Sequence, residues 1–211
     1  LGLASAAGTA GQGVLVVDLD PQASSTWVLG IDPAEVEVST AEVMTRTSAA
    51  KAIVQSEWGN AVSVIPSSLR LMTKDHGSSP ERLGEALREV SDQFDVILID
   101  CPPSLGTLTT AGLSAADHAV IVVEPSALSL RGVGAVADLV DEVWDAYNAD
   151  LDLAGVIVNK VPAWSSEAER RYDELTRAVG KRAVWQPVIP QRVIVNQAIG
   201  ERRPIHSYGA R

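Results

Sequence analysis

Three aspartates stand at the exits of two apolar runs. Val14-Leu-Val-Val-Asp18-Leu-Asp20 ends in two carboxylates one residue apart, followed by Pro21-Gln22 and a run of small and hydroxyl residues. Phe94-Asp-Val-Ile-Leu-Ile-Asp100 ends in a third, followed by Cys101-Pro102-Pro103-Ser104. An apolar strand that delivers a carboxylate at its end is how a phosphoryl-transfer site presents oxygen to magnesium, commonly through water, beside nucleotide phosphates. A strand-end Asp is also an ordinary turn or cap residue, and the Asp100 motif alone does not separate the two readings. Pro102-Pro103 stiffens the loop after Asp100 and limits where that carboxylate points. If the first strand runs through both Asp18 and Asp20, they share one face; if it stops earlier, the turn at Pro21 splays them. Asp-Pro as a turn signal accounts for one of the two acids. The pair suits a division of labour in which one helps hold a metal site and the other orients an attacking water.

These acids need elements to position them. Apolar runs rich in Val and Ile cover residues 14–17, 62–65, 96–99, 119–123 and 156–158, with a weaker one at 184–189. They are nearly continuous, the pattern of strands covered on both faces. Amphipathic stretches between them predict helices over 79–90, 130–147 and 165–179. Ser79 is the expected N-cap of the first, with Pro80 at its first position. Ser39-Thr-Ala-Glu42 fits a capping box for a shorter helix. Strand-helix alternation predicts an α/β fold with a mostly parallel sheet, helices on both faces, and a single domain over 1–211. Ligands of such sheets bind beyond the carboxyl ends of the strands. The segments to read for function are therefore Asp18-Leu-Asp20-Pro-Gln22, Pro66-Ser-Ser68, Asp100-Cys-Pro-Pro-Ser104, Glu124-Pro-Ser126, Asn159-Lys160 and Pro190-Gln-Arg192.

Composition narrows the classes. No apolar run of the 211 residues approaches the ~20 that a membrane helix needs. One cysteine, Cys101, excludes a disulfide framework and a Cys-rich metal site, and fits a reducing cytoplasm. Beside Asp100 it reads as a small buried hydrophobe. His76, His118 and His206 lack ligand spacing, and the five tryptophans are scattered, as packing residues are. The net charge of -10 argues against a surface uniformly attracted to nucleic acid. Yet residues 160–211 hold ten Lys/Arg against five Asp/Glu, and residues 1–159 hold seven against twenty-two. One anion-facing side, or merely uneven exposed helices, would produce this. Gly11-Gln-Gly13 is too short for a phosphate cradle and lacks its Lys-Ser/Thr ending. Residues 1–7 read as a helix interior without a cap, and 206–211 stop without a closing element.

VLVVDLDPQASSTWVLGID, FDVILIDCPPSLGTLTTAGLSAADHAVIVVEPSALSLRGV and GVIVNKV, in that order and spacing over nearly the whole chain, resemble the ParA/Soj family of chromosome and plasmid partitioning ATPases. These belong to the deviant-Walker P-loop group, together with MinD and the nitrogenase iron protein. The resemblance implies a P-loop NTPase-like fold, ATP/ADP and Mg2+ as cofactors, and magnesium-dependent ATP hydrolysis. It implies that Asp20 supports hydrolysis by positioning water, that Asp18 lies near the magnesium site, and that Asp100 is the Walker B aspartate. Pro102, Asn159 and Pro190 fall in its cofactor-binding set, the last two in loops around the adenine. Residues 124–132 match a nucleotide-responsive segment near a dimer face. The family's Lys-Gly-Gly-x-Gly-Lys-Thr would end a few residues before Leu1. The phosphate loop and a last helix are thus expected to lie outside the 211 residues, which by themselves are expected to be inactive. Family members form a homodimer on binding ATP, bind DNA nonspecifically, and are released by a ParB-like centromere-binding protein. That implies a cytoplasmic, nucleoid-associated protein with no membrane partner.

The chain departs from the family at Pro190-Gln-Arg-Val-Ile194, where Pro-Arg-Asn-Val-Arg is often found. Ile194 takes an arginine position and Arg192 is displaced by two. Phosphate contacts carry no base specificity, so a cationic cluster can move without loss of function. Arg192, Arg202, Arg203, Lys181 and Arg182 are the DNA candidates, with Arg170-Arg171 beside them; weak or absent DNA binding is the other outcome. A MinD-type membrane-surface ATPase, marked by an amphipathic helix after Arg211, is one rival. A non-catalytic DNA-binding or scaffold member of the fold is another, against which three retained carboxylates speak. A nitrogenase-like cluster needs more cysteines than Cys101 supplies.

Overall fold

All five residues of β1 (Val14–Asp18) are buried, because both sides of the strand are covered. In the computed structural model, which describes residues 1–74, 79–127 and 129–208, alternate β1 side chains enter two different cores, as the two-residue period of a strand requires. Leu15 and Val17 pack with Ile65, Leu71, Leu83, Leu87 and Leu108. Val14 and Val16 pack with Ala4, Leu29, Val62 and Val64. Each fully buried Val or Leu contributes ~1.5–3 kcal/mol. A strand with no polar face reads in sequence as an unbroken apolar run.

The chain forms two compact units, residues 1–115 with 194–211, and residues 116–193. The first holds a four-stranded sheet ordered β2-β3-β1-β4, from β2 (Val54–Gln55), β3 (Val62–Ile65) and β4 (Val96–Asp100). β3 and β4 flank β1 in parallel, and the register sets Asp18 opposite Asp100. β2 is a short antiparallel edge. α1 (Gly2–Thr9) supplies Ala4 to one core. The other core draws on α3 (Thr40–Val43), α4 (Leu71–Lys74), α5 (Arg82–Arg88) and α6 (Thr107–Ser114). A short helix, α2 (Ser24–Val28), follows β1.

The second unit pairs β5 (His118–Val123) with β6 (Asp152–Val158) in parallel, alongside α7 (Ser129–Ala146) and α8 (Ser166–Val179). Ile121, Val133, Val156, Val158, Leu175 and Val184 form its core. The register slips where Ala119 faces Leu153 but Val120 faces Gly155. Gly155 has φ 144, and a Cβ there would lie 2.5 Å from Trp185 Nε1, which instead donates to the Ala154 carbonyl at 3.0 Å. α9 (Val193–Gly200) returns the chain to the first unit.

Five expected strands and the long helices are present. The weak run at 184–189 is not a strand: single bridges join Val184 to Val156 and Pro190 to Val161. Pro187 and Pro190 have no N–H to extend a ladder. Ser79 does not cap α5, whose N-cap is Glu81; its hydroxyl is taken up by the Glu81 carboxylate instead. The capping box forms, with Ser39 N–H donating to Glu42 Oε2 at 2.9 Å, and Ser165 Oγ caps α8 by accepting from Ala168 N–H at 3.1 Å. His76 lies outside the described residues.

α6 crosses close to the β4 exit at Gly112. A Cβ at that position would sit 2.6 Å from Cys101 Sγ and 3.1 Å from Leu19 Cδ1. Overpacking of about 1–3 kcal/mol outweighs the roughly 1 kcal/mol that alanine gains over glycine in a helix. Gly112→Ala is therefore expected to lower the urea midpoint, and adding Cys101→Ala to recover part of the loss. An unchanged midpoint would mean that the two elements move apart at no cost.

Candidate functional site

β1 stops at Asp18, and the Leu19 N–H crosses to the Asp100 carbonyl at 2.9 Å. The two strands therefore release their carboxylates side by side, but into different surroundings. Asp18 is fully buried. Its Oδ2 accepts from the Thr26 N–H at 2.8 Å and the Thr26 hydroxyl at 2.7 Å, and its Oδ1 accepts from the Asp20 N–H at 3.0 Å. Asp100 is exposed, and its Oδ2 accepts from the Ser25 hydroxyl. Asp20 is half-buried beyond the strand end, with Oδ1 accepting from the Gln22 N–H at 2.9 Å. Its carbonyl accepts from the Ala23 N–H at 2.8 Å, and Ala23, at φ 55, opens α2. The turn thus splays the two acids of the Asp-x-Asp pair.

Consecutive residues of α2 reach the two strand-end acids, Ser25 to Asp100 and Thr26 to Asp18. Behind them lies a layer of hydroxyls. Thr26 Oγ1 accepts from the Ser67 N–H at 2.8 Å. Thr40 Oγ1 lies 2.6 Å from the Asp18 carbonyl and 2.9 Å from that of Pro66, and Ser39 Oγ lies 3.0 Å from Ser68 Oγ. The loop after β3 is so drawn onto the same sheet edge. Among the described residues, the buried Ser67 hydroxyl meets no hydrogen-bond partner.

Among the described residues, no three His, Cys, Asp or Glu side chains converge as a metal cage. An exposed carboxylate flanked by a hydroxyl, with a second carboxylate buried behind, suits magnesium instead. That ion keeps several waters and takes few protein oxygens. Pro102 is buried at the head of the loop after Asp100, and Pro103 is exposed. Burial, and then the Asp100 charge, push the Cys101 thiol up to about 12, so it remains protonated at neutral pH.

The other expected site residues lie in the second unit. Asn159 follows β6; its N–H donates to the Val123 carbonyl at 2.7 Å, and its Oδ1 accepts from the Lys160 N–H at 2.9 Å. Lys160 Nζ is 2.5 Å from Glu124 Oε1. Pro190 is exposed, paired with Val161. Leu128, within the 124–132 segment, lies outside the described residues. Of the cationic candidates, Lys181, Arg182 and Arg192 are exposed. Arg203 is exposed in the first unit, 5.5 Å over the Tyr208 ring. Arg202 is engaged internally: its Nε donates to the Trp27 carbonyl at 2.9 Å, and its guanidinium lies 5.5 Å from the Trp27 ring centroid. Arg170 and Arg171 are paired to Glu167 and Glu174 on their own helix. The sequence pattern did not single out Ser25, Thr26 or Ser67 individually; the hydroxyl run after Pro21-Gln22 was the signal for the first two, and the segment Pro66-Ser-Ser68 for the third.

Burial pushes the Asp18 carboxyl up to about 6 from an ordinary 3.8, and the Asp100 charge adds to the rise, while the donors from Thr26 and Asp20 oppose it. The folded chain thus holds this proton more tightly than the unfolded one. Stability from this group is fully present below about pH 4 and is lost as pH rises through about 6. Asp18→Asn has no such titration. Without nucleotide or magnesium, the wild type is expected to lose roughly 2 kcal/mol relative to Asp18→Asn between pH 4 and 7, read by urea unfolding. Parallel pH profiles for the two proteins would show that the Asp18 titration is not shifted by folding.

Residues 1–153 match a family of AAA domains. The sporulation initiation inhibitor protein Soj of Bacillus subtilis (strain 168) is 32% identical over 206 residues, covering 95% of this chain and 81% of that protein. Cobyrinic acid a,c-diamide synthase of Mycobacterium smegmatis, solved with a bound ATP analog and magnesium, is 29% identical with a TM-score of 0.83, over 95% of this chain and 83% of that one. Apo McdA from Cyanthece, 20% identical, shares the fold with a TM-score of 0.89 over 98% of this chain and 85% of that one. The expected mostly parallel, P-loop NTPase-like α/β fold is borne out by these likenesses. With a relative that close over most of its length, and with the strand-end aspartates brought together on one sheet edge, the chain belongs to the ParA/Soj family of ATPases.

Proposed function

We propose that the protein is an ATP-switched dimer that binds DNA nonspecifically and drives chromosome or plasmid segregation, with magnesium-dependent hydrolysis of the γ-phosphate. The observation that carries this reading is the pairing of Ser25 with Asp100 and Thr26 with Asp18 at the carboxyl edge of the sheet. Likeness to Soj, and to a synthase solved with an ATP analog and magnesium, supports it. Asp100, exposed beside a hydroxyl, is the carboxylate offered to magnesium. Asp18 stands behind it, fastening Thr26 and adding a second negative charge to the metal side. Asp20 is held through one oxygen by the Gln22 N–H and uses its carboxylate to orient the attacking water. Magnesium, when bound, neutralises charge on the phosphate oxygens. Asn159 and Pro190 are assigned to the adenine, and Pro102 keeps the loop after Asp100 in place.

The exposed cations Lys181, Arg182, Arg192 and Arg203 are assigned to DNA phosphates, and a ParB-like centromere-binding protein is the expected partner. No described helix is long and apolar enough to cross a membrane, and a cytoplasmic, nucleoid-associated location goes with the reading. In the full-length protein, Asp20→Ala is expected to lower ATP turnover by about 10²-fold or more while leaving ATP binding largely intact; surviving turnover would remove the role given to Asp20. Lys181→Gln, Arg182→Gln and Arg192→Gln together should flatten the salt dependence of DNA binding by about 0.9 in log-log slope for each phosphate no longer neutralised. An unchanged slope would move the DNA face elsewhere.

A further inference from the structure

Arg202 is the one DNA candidate whose guanidinium is bound to the first unit's own backbone and ring. We propose that Arg202 is a positioning residue for the nucleotide site, acting through Trp27 on α2; the inference rests on the roles proposed for Asp18 and Asp100.

α2 has five residues, fewer than two turns, and so short a helix does not hold itself in water. Its place is set by what grips its ends. At the start, Thr26 is fastened to Asp18 and Ser25 to Asp100. At the finish, the Trp27 carbonyl accepts from Arg202 Nε at 2.9 Å, and the Trp27 ring lies under the guanidinium at 5.5 Å. The Trp27 carbonyl also accepts from the Gly30 N–H at 3.1 Å, and a carbonyl in a helix's last turn favours a cation beside it. Arg202 also answers to Trp58, whose indole N–H donates to the Arg202 carbonyl at 3.0 Å.

The backbone at Arg202 has φ 56, a left-handed conformation that costs a non-glycine residue of the order of 1 kcal/mol. It closes the end of α9, where the Arg203 N–H returns to the Ala198 carbonyl at 2.9 Å. A few residues on, His206 Nδ1 lies 2.6 Å from Ser5 Oγ, which ties the same segment to α1. The C-terminal segment thus clasps both helices that flank β1 in sequence. Its grip on α2 acts one residue from Thr26 and two from Ser25, the hydroxyls that face the strand-end acids. Arg202 touches no reacting atom; it holds in place the residues proposed to do so.

The test is amide exchange by NMR in the full-length protein, together with its ATP turnover and DNA binding. Arg202→Ala is expected to speed exchange of the Thr26 and Ser67 amides about tenfold, with the sheet amides of Val16 and Val64 unchanged. It should lower kcat by about tenfold and leave the salt slope of DNA binding as it is. Arg202→Lys, which keeps a cation and a donor but not the planar guanidinium, should restore exchange and kcat only in part, to between the Arg202→Ala and wild-type values. Trp27→Leu removes the ring but keeps the carbonyl, and should give the same local pattern with smaller amplitude. Thr26 and Ser67 exchange that stays at the wild-type rate, or that rises in step with the sheet amides, overturns the proposal. So does a flatter salt slope in Arg202→Ala, which would make Arg202 a phosphate contact. Absence of ATP turnover in the full-length wild-type protein would sink the ATPase reading, while the exchange data would still judge the clasp.

Discussion

A buried carboxylate must be answered by donors or it destabilises the fold. Asp18 closes a strand that is covered on both faces, so water cannot supply those donors. They come from the chain just beyond it: the Asp20 N–H, the Thr26 N–H and the Thr26 hydroxyl. To deliver them the strand must stop at Asp18, turn through Pro21-Gln22, and start a helix within a few residues. The abrupt turn, the left-handed Ala23 and the short α2 follow from that requirement. Once Thr26 is fixed, the residue before it falls on Asp100, and the Thr26 hydroxyl is placed to accept from the loop after β3.

Parallel register does the rest. Pairing Val17 with Ile99 and Asp18 with Asp100 brings two acids to one edge, where their charges repel. The fold separates their circumstances, burying one among donors and leaving the other at the surface. Burial and the neighbouring charge both favour a proton on Asp18. A bound cation would relieve the same repulsion, which is why this edge suits magnesium and phosphate together.

The cationic residues sort themselves by environment. Arg170 and Arg171 are neutralised along α8 by Glu167 and Glu174. Arg202 is tied to Trp27, whereas Lys181, Arg182, Arg192 and Arg203 stand at the surface. The basic excess of the C-terminal quarter is therefore several populations in different environments.

Much was legible in the residues alone. Continuous Val/Ile runs marked the strands, Ser39 and Ser165 marked helix starts, and the acids after residues 17 and 99 marked the strand ends that meet at one sheet edge. Each depends on neighbours a few positions apart, whose geometry the backbone repeats everywhere. Where local signals competed, they misled: Ser79 met Glu81 before it could cap α5, and two prolines denied 184–189 a ladder. The contacts that decide the site's fine placement join residues far apart in the chain. Arg202 and Trp27 are separated by 175 positions, and Ser5 and His206 by 201. No periodicity encodes such pairs, because they exist only after the sheet and its helices have brought the two ends of the chain together. The residue types and the strand-end acids were the sequence's own determination. Which acid is buried, which hydroxyl answers it, and which arginine holds the helix between them were decided by the tertiary structure, since burial and hydrogen-bond partners are properties of packing.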